Sequence, residues 1–194
     1  APFLLGMGTS FTRIIVVLHF VRSALGTQTS PPNQVLIGIA LFLTLFIMAP
    51  VMTQINKDCI QPYDKGKLTQ EEALNAGLKP IRKFMFEQTN RKDIRLFMEI
   101  EKQSNDVSIE KEDEIPTLVL IPAFMISELR IAFIIGFLIY LPFIVIDMVV
   151  ASTLMSMGMM MLPPTTISMP FKILLFVLAD GWNLVIGQLV KTFY

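Results

Sequence analysis

The sequence predicts an all-α protein of kinked helical hairpins, and three observations lead to that fold class. The chain of 194 residues is 53% hydrophobic and only 16% charged, whereas an average soluble domain carries roughly 25% charge. Most of the charges fall in one central segment, with long apolar stretches on either side. Prolines and glycines interrupt those stretches, which favours bent pairs of helices. The charges are too few to cover a soluble core, which indicates a membrane protein or a membrane-derived assembly.

The first region, residues 1–56, is predicted to be apolar and helical. Val35 to Ile55 is its plainest transmembrane candidate, because no charge occurs from residue 23 to residue 56. Roughly 20 apolar residues are enough to span a bilayer core of about 30 Å. Pro50 lies near the far end of this stretch and is expected to kink or end the helix.

The second region, residues 57–116, holds 24 of the chain's 32 charged residues, 11 basic and 13 acidic. It is predicted to be a small helical module outside the apolar layer. Thr69 and Glu72 have the spacing of a capping box that opens a helix, and Asn90 and Asp93 are the candidate caps for the next helix. Amphipathic periodicity gives the module two apolar faces, which contain Phe84, Met85, Phe97 and Met98.

The third region, residues 117–194, is predicted to form apolar helical hairpins around a methionine-rich loop. Residues 155–164 hold five of the thirteen methionines and end in Pro163-Pro164, which cannot continue a helix. The pattern therefore predicts helix, irregular loop, helix. Because unpaired backbone groups cost several kcal/mol each in lipid, the loop is expected to be buried in protein or to line a water-filled passage.

The loop carries three consecutive methionines, Met159, Met160 and Met161, after Met155 and Met157. Three consecutive residues cannot all face one side of a helix. Methionine-rich apolar stretches are most often core filler. The other interpretation is a constriction, because methionine is unbranched, flexible and polarizable and can re-pack around varied chains.

Only three charges lie between Ile131 and Val190: Asp147, Lys172 and Asp180. A charge at mid-bilayer costs about 2.5–3.5 kcal/mol even on insertion scales, so each needs a reason. Asp147 and Lys172 lie on opposite arms of the loop and are predicted to form a buried ion pair, between neighbouring subunits in preference to within one. Asp180 is about 12 Å from Lys172 along one helix, too far for direct contact. A proton or ion relay and an incidental position near the interface are the alternatives.

The motifs of several other protein classes are absent. The single histidine and single cysteine give no evident nucleophile–base pair. The HExxH, GxxxxGK[ST] and GxGxxG patterns do not occur, and one cysteine allows neither an internal disulfide nor a multi-cysteine metal site. Formal net charge is zero, so no basic patch points to nucleic acid. No catalytic residue, cofactor or metal site is predicted.

Six stretches in this order resemble the FliP family, the P/R-type component of the type III secretion export gate. They are Phe11-Thr-Arg-Ile-Ile-Val-Val-Leu18, Pro31-Pro-Asn-Gln-Val-Leu-Ile-Gly38, Leu120-Ile-Pro-Ala-Phe124, Asp147-Met-Val-Val-Ala-Ser152, Met155-Ser-Met-Gly-Met-Met-Met-Leu-Pro-Pro164 and Leu175-Phe-Val-Leu-Ala-Asp-Gly-Trp-Asn-Leu184. The resemblance covers nearly the whole chain and is looser in the charged module. It favours the flagellar branch; a homologous subunit of a virulence injectisome is the first alternative and a proton-coupled membrane transporter the second.

The resemblance implies more than the residues do alone. Family members are made with a cleaved signal peptide. Five copies assemble with several copies of a two-helix FliQ-type partner and a single FliR-type subunit into a helical, conical export gate in the bacterial inner membrane, within the flagellar basal body. The gate faces the periplasm, and unfolded substrates pass through its centre.

The resemblance also implies roles for particular residues. Met159, Met160 and Met161, with Met155 and Met157, match the loop that seals the resting channel as a gasket. The charged module is expected to be periplasmic. Its four apolar side chains, Phe84, Met85, Phe97 and Met98, are either contacts to neighbouring subunits or the module's internal core. The apolar helices are expected to pack on each other, raised towards the periplasm, although hydrophobic length alone suggests about four spans.

Overall fold

A computed structural model describes residues 8–102, 115–159 and 161–194, and every regular element among them is helical. The all-α fold class is confirmed. The helices are α1 (Phe11–Leu25), α2 (Asn33–Ile55), α3 (Gln61–Asp64), α4 (Gln70–Gln88), α5 (Arg91–Lys102), α6 (Thr117–Ser156), α7 (Pro164–Leu178) and α8 (Gly181–Lys191), with a π-helical turn, Asn56–Ile60, between α2 and α3.

The chain divides into two compact units that are each built from separate stretches of sequence. The first unit comprises Ala1–Arg13 and Phe42–Ile131, and the second comprises Ile14–Leu41 and Ala132–Tyr194. Helices α4 and α5 lie in the first unit, whereas α7 and α8 lie in the second. The division of the chain into three regions, residues 1–56, 57–116 and 117–194, stays a prediction from the sequence.

Within the part of the chain that the structure describes, two helical stretches are long and apolar enough to cross a membrane, Asn33–Asp64 and Thr117–Ser156. A third crossing is available if α7 and α8, which bend by 65° at their junction, count as one span. Hydrophobic length alone suggested about four. Only 11% of the most apolar 18-residue stretch of α6 is buried within one copy. Most of the surface of that stretch therefore needs lipid or another chain against it.

The prolines have different effects at the two places where they were expected to interrupt helices. The predicted order of helix, loop and helix is confirmed, because α6 ends at Ser156 and α7 starts at Pro164, so the double proline lies at the start of α7, where proline is tolerated. Pro50 does not end its helix, since α2 continues to Ile55 and the helical stretch to Asp64, so of the two expected effects the kink stays a prediction. A single proline removes one backbone bond, which the remaining bonds of a long helix tolerate.

The charged module starts its helices from local signals. Thr69 accepts a hydrogen bond from the Glu72 amide and donates its own amide to the Glu72 carboxylate, so the predicted capping box is confirmed. The bond from the Thr69 backbone holds the pKa of Glu72 below its ordinary value of 4.5. Asn90 caps α5, because its side-chain oxygen accepts from the Lys92 amide at 3.0 Å.

The core of the second unit fixes the turn between α7 and α8. Phe176 lies with Val21, Leu25 and Phe143 in one buried cluster, and its ring meets Trp182 edge-on at a centroid distance of 5.2 Å. Edge-to-face aromatic pairs add about 0.5–1.5 kcal/mol beyond their buried area. The α7–α8 bend is therefore held by packing, and α7 in turn supports the loop that precedes it.

Candidate functional site

The methionine-rich loop leaves α6 through a turn that closes on the helix end. Gly158 has φ +74°, its amide donates to the Met155 carbonyl at 3.0 Å, and the Met159 amide donates to the Leu154 carbonyl at 3.0 Å. This pair of bonds is the usual C-terminal stop of a helix at a left-handed glycine. Glycine adopts that conformation without strain. The first part of the loop is therefore anchored to α6.

The described methionines of the loop all present their side chains to the outside of the chain. The exposed fraction is 61% for Met155, 64% for Met157, 44% for Met159 and 98% for Met161. Met160 lies outside the described residues. Side chains so exposed add little to the core of a single copy, so the core-filler interpretation does not apply within one chain.

A buried polar cluster joins the two arms of the loop. The Lys172 ammonium, on α7, donates to Asp147 Oδ2, on α6, at 2.6 Å. The Ser168 hydroxyl donates to Asp147 Oδ1. The side chain of Lys172 is 2% exposed and that of Asp147 is 24% exposed. Pairing offsets the cost of holding an ammonium away from water.

The position of this pair differs from the expectation in one respect. The sequence favoured a pair between neighbouring subunits, whereas Asp147 and Lys172 meet within one chain. The antiparallel arms bring them to the same level, so no neighbour is needed to neutralise Lys172. Asp180 is exposed, has φ 50° and accepts from the Asn183 side chain at 3.0 Å, which leaves it at the α7–α8 bend.

A second buried ion pair lies in the first unit. Arg13 donates through Nε to Glu128 Oε2 at 2.9 Å and through its terminal nitrogen to Glu128 Oε1. The side chains are 1% and 0% exposed. Arg13 also donates to Gln88 Oε1 at 3.0 Å. The guanidinium thus links α1, α4 and α6 inside the first unit.

The start of α5 is attached to the same turn of α6. Arg130 makes a two-pronged contact with the Asp93 carboxylate at 2.6 and 2.9 Å. The Ser127 hydroxyl donates to Asp93 at 2.6 Å and accepts from the Asn90 amide at 2.9 Å. A bidentate arginine–carboxylate pair fixes orientation as well as distance. The charged module is therefore held on α6 in a defined register.

The only histidine and the only cysteine both have local partners. His19 Nδ1 accepts from the Arg22 guanidinium at 2.9 Å, and partial burial, with the Arg22 charge, lowers the pKa of His19. Cys59 Sγ donates to the Ala73 carbonyl at 3.0 Å. Within residues 8–102, 115–159 and 161–194, no group of three or more His, Cys, Asp and Glu side chains is arranged to hold a metal ion.

The sequence model of the FliP family matches residues 1–189. The chain belongs to the FliP family. The flagellar biosynthetic protein FliP of Bacillus subtilis is 54% identical over 193 residues, which make up all of this chain and 86% of that protein. The proteins of the same name from Pectobacterium carotovorum and Aquifex aeolicus are 49% and 48% identical, over 100% and 99% of this chain and 74% and 80% of theirs. The family resemblance read from the six stretches is confirmed.

Four apolar side chains of the charged module were predicted to be contacts between subunits or internal core, and most of them are buried within one copy of this FliP-family chain. Phe84, Met85 and Met98 are buried, and the Phe84 ring meets Phe124 edge-on at 6.2 Å between centroids. Phe97 is half-buried. Three of the four are therefore buried within a single copy, and the ring that Phe84 contacts belongs to α6 and not to the module itself. Among the described residues of the module, the exposed large apolar side chains are Ile60, Tyr63, Leu74, Leu78, Leu96 and Ile100.

Sequence reasoning missed the polar network on the FliP-family α6. Ser127 and Glu128 are buried, yet nothing in a single sequence pairs Glu128 with Arg13, 115 residues away. The signal available was a short polar run within an otherwise apolar helix, Ser127-Glu128-Leu129-Arg130. Polar residues in such a setting require partners, although their identity is not readable. The contact of Ser168 with Asp147 could not be predicted either, because the only indication in the sequence is the spacing of Ser168 from Lys172.

Proposed function

We propose that this chain is the ring-forming core subunit of the flagellar type III protein export gate, where it supplies the protein-conducting channel for unfolded flagellar substrates. Membership of the FliP family and the names of the flagellar relatives support the place in flagellar export. The role is that of a passage and not that of an enzyme.

The observation that carries the proposal is the exposed methionine loop at the end of two firmly connected apolar helices. Met155, Met157, Met159 and Met161 are exposed, and their arms are joined by the Asp147–Lys172 pair. Under ring symmetry, each copy brings the same loop to the axis. Methionine side chains then close on one another and re-pack when a chain passes. A charged ring would stay hydrated and leak ions.

The proposal includes partners and location. Several copies of this chain, five in the family's gate, assemble with FliQ-type and FliR-type subunits in the bacterial inner membrane, facing the periplasm, within the flagellar basal body. The exposed apolar surface of α6 supports such an assembly, because only 11% of its most apolar window is buried in one copy. The 57–116 module is periplasmic in this arrangement. Of its four predicted contact residues, we retain Phe97, which keeps accessible surface.

Replacing Met159, Met160 and Met161 with alanine tests the gate. The shorter side chains leave an unsealed axis, so cells should become permeable to small ions and solutes while the complex still assembles. Permeability is measured by dye uptake and by conductance of the purified complex in planar bilayers. Met52→Ala is the matched control, because Met52 is also exposed but lies within α2. An intact complex that stays impermeable without the three methionines would refute the gate.

A further inference from the structure

Ser168 lies between the two arms of the methionine loop and is completely buried. Its hydroxyl donates to Asp147 Oδ1, and the Thr165 carbonyl lies 3.1 Å away on the other side. Asp147 Oδ2 is taken by Lys172. Ser168 and Lys172 are four residues apart, so they share one face of α7. Both oxygens of the α6 carboxylate are therefore held by successive turns of α7.

The two ends of the loop are fixed in different ways. The α6 end is closed by the backbone bonds around Gly158. The α7 end starts after Pro163, which provides no side-chain cap, and the Thr166 amide bonds to the Pro163 carbonyl at 3.1 Å. In the described part of the chain, the polar contact closest to this end that joins α7 to α6 is that of Ser168 with Asp147.

We propose that Ser168 is a positioning residue for the methionine loop. Its hydroxyl fixes the first turns of α7 against α6 and thereby sets the height at which the loop returns to the helix. The significance of that height rests on the proposed gate function, but the positioning is a property of the chain itself.

The short side chain of Ser168 suits this task better than that of Lys172. Lysine has a flexible four-carbon stem and can follow its carboxylate through shifts of several ångströms. Serine has a single bond between Cβ and its hydroxyl, so its hydrogen bond breaks when α7 slides by one residue, about 1.5 Å. The ion pair neutralises the charges, and the serine sets the register.

Hydrogen–deuterium exchange on the complex purified with its partner subunits tests the positioning. Ser168→Ala removes the hydroxyl with little change in volume. We expect amides of residues 165–169 to exchange roughly three- to tenfold faster, the range for losing one hydrogen bond in a helical membrane protein. The thermal midpoint of the complex should barely change. Thr153→Val is the matched control, because the hydroxyl of the exposed Thr153 bonds only to the Val149 carbonyl of its own helix, and its exchange should match the wild type.

A double change shows whether Ser168 acts through Asp147. In an Asp147→Ala background, Ser168→Ala should add little to the exchange rate, because contacting partners are not additive. Unchanged exchange in Ser168→Ala, or full additivity with Asp147→Ala, overturns the inference.

Conductance separates this inference from the gate itself. Faster exchange with increased ion leak supports both the positioning and the proposed function. If Ser168→Ala exchanges faster without an ion leak, and the triple methionine variant is also impermeable to ions, the positioning is supported and the gate is refuted. A leaky triple methionine variant with normal exchange in Ser168→Ala keeps the gate and refutes the positioning.

Discussion

The buried ion pair of Arg13 and Glu128 determines how strongly a change at either residue lowers the stability of the first unit. Both side chains are almost completely buried, so the guanidinium depends on hydrogen bonds to protein groups, among them Glu128 and Gln88. Removing one partner of such a pair leaves an uncompensated buried charge, which typically costs about 3–5 kcal/mol. Replacing both partners with apolar residues of similar volume is often close to neutral.

We therefore expect Glu128→Gln to lower stability by about 3–5 kcal/mol and Arg13→Met with Glu128→Leu to recover most of that loss. Denaturant unfolding of the protein in detergent measures the difference. Glu87→Gln is the control, because Glu87 pairs with Lys83 at 3.9 Å and both are largely exposed; its effect should stay within about 1 kcal/mol. Equal losses for Glu128→Gln and Glu87→Gln would contradict the account.

The residues of the candidate site differ in how well sequence alone could find them. The capping box at Thr69 and Glu72 was readable because its partners are three residues apart and depend only on the local chain. Asp147 and Lys172 could be predicted as partners because each charge is isolated in an apolar arm. The sequence could not show whether the two residues pair within one chain or between chains, because that depends on how closely the arms approach.

At the scale of elements, α1 and α6 approach each other in the second unit at a glycine. A β-carbon on Gly136 would lie 2.4 Å from the ring of Phe20, and that ring meets Phe133 edge-on at 5.1 Å. Phe20 therefore packs directly on the backbone of α6. Forcing extra atoms into such a contact shifts side chains and backbone at a cost of typically 1–3 kcal/mol.

Gly136→Ala should consequently lower the free energy of unfolding by about 1–3 kcal/mol. Gly187→Ala, also within a helix, meets nothing within 4 Å and should be neutral or raise stability by up to about 1 kcal/mol, since alanine is the better helix former. Thermal unfolding of the two variants compares them. The interpretation fails if Gly187→Ala destabilises as much as Gly136→Ala.

Helix existence followed from the sequence more reliably than helix ends. The apolar stretches and the double proline at 163–164 gave the break between α6 and α7, because two prolines in succession leave no helical alternative. Pro50 did not end α2, because one proline removes a single backbone bond and the bonds on either side of it can still form. The position of a helix end therefore depends on more than the nearest proline.

At the scale of the whole molecule, a single copy exposes large apolar side chains along its longest helix. Leu138, Val145, Met148 and Val149 of α6 are each more than half exposed. Contiguous apolar surface of this kind indicates lipid or protein contact. No periodicity reveals which of the two covers it, because lipid and a partner helix favour the same residue types.

The proposed assembly predicts the size of the native particle. Extracted from membranes in mild detergent, this chain should run as a large hetero-oligomer with FliQ-type and FliR-type subunits, because its apolar helices need neighbours. Native mass spectrometry measures the mass and the composition. A small homo-oligomer with transport activity of its own would instead fit the secondary-transporter alternative.

The exposed apolar surface of α6 also affects how many copies of each subunit the cell keeps. A copy made in excess of its partners keeps that surface without a permanent neighbour, and the membrane's proteases and chaperones act on such orphans. Its lifetime should then be set by how quickly partners arrive. The amount of finished export apparatus would in that case be governed by the scarcest subunit, with the surplus of the others degraded.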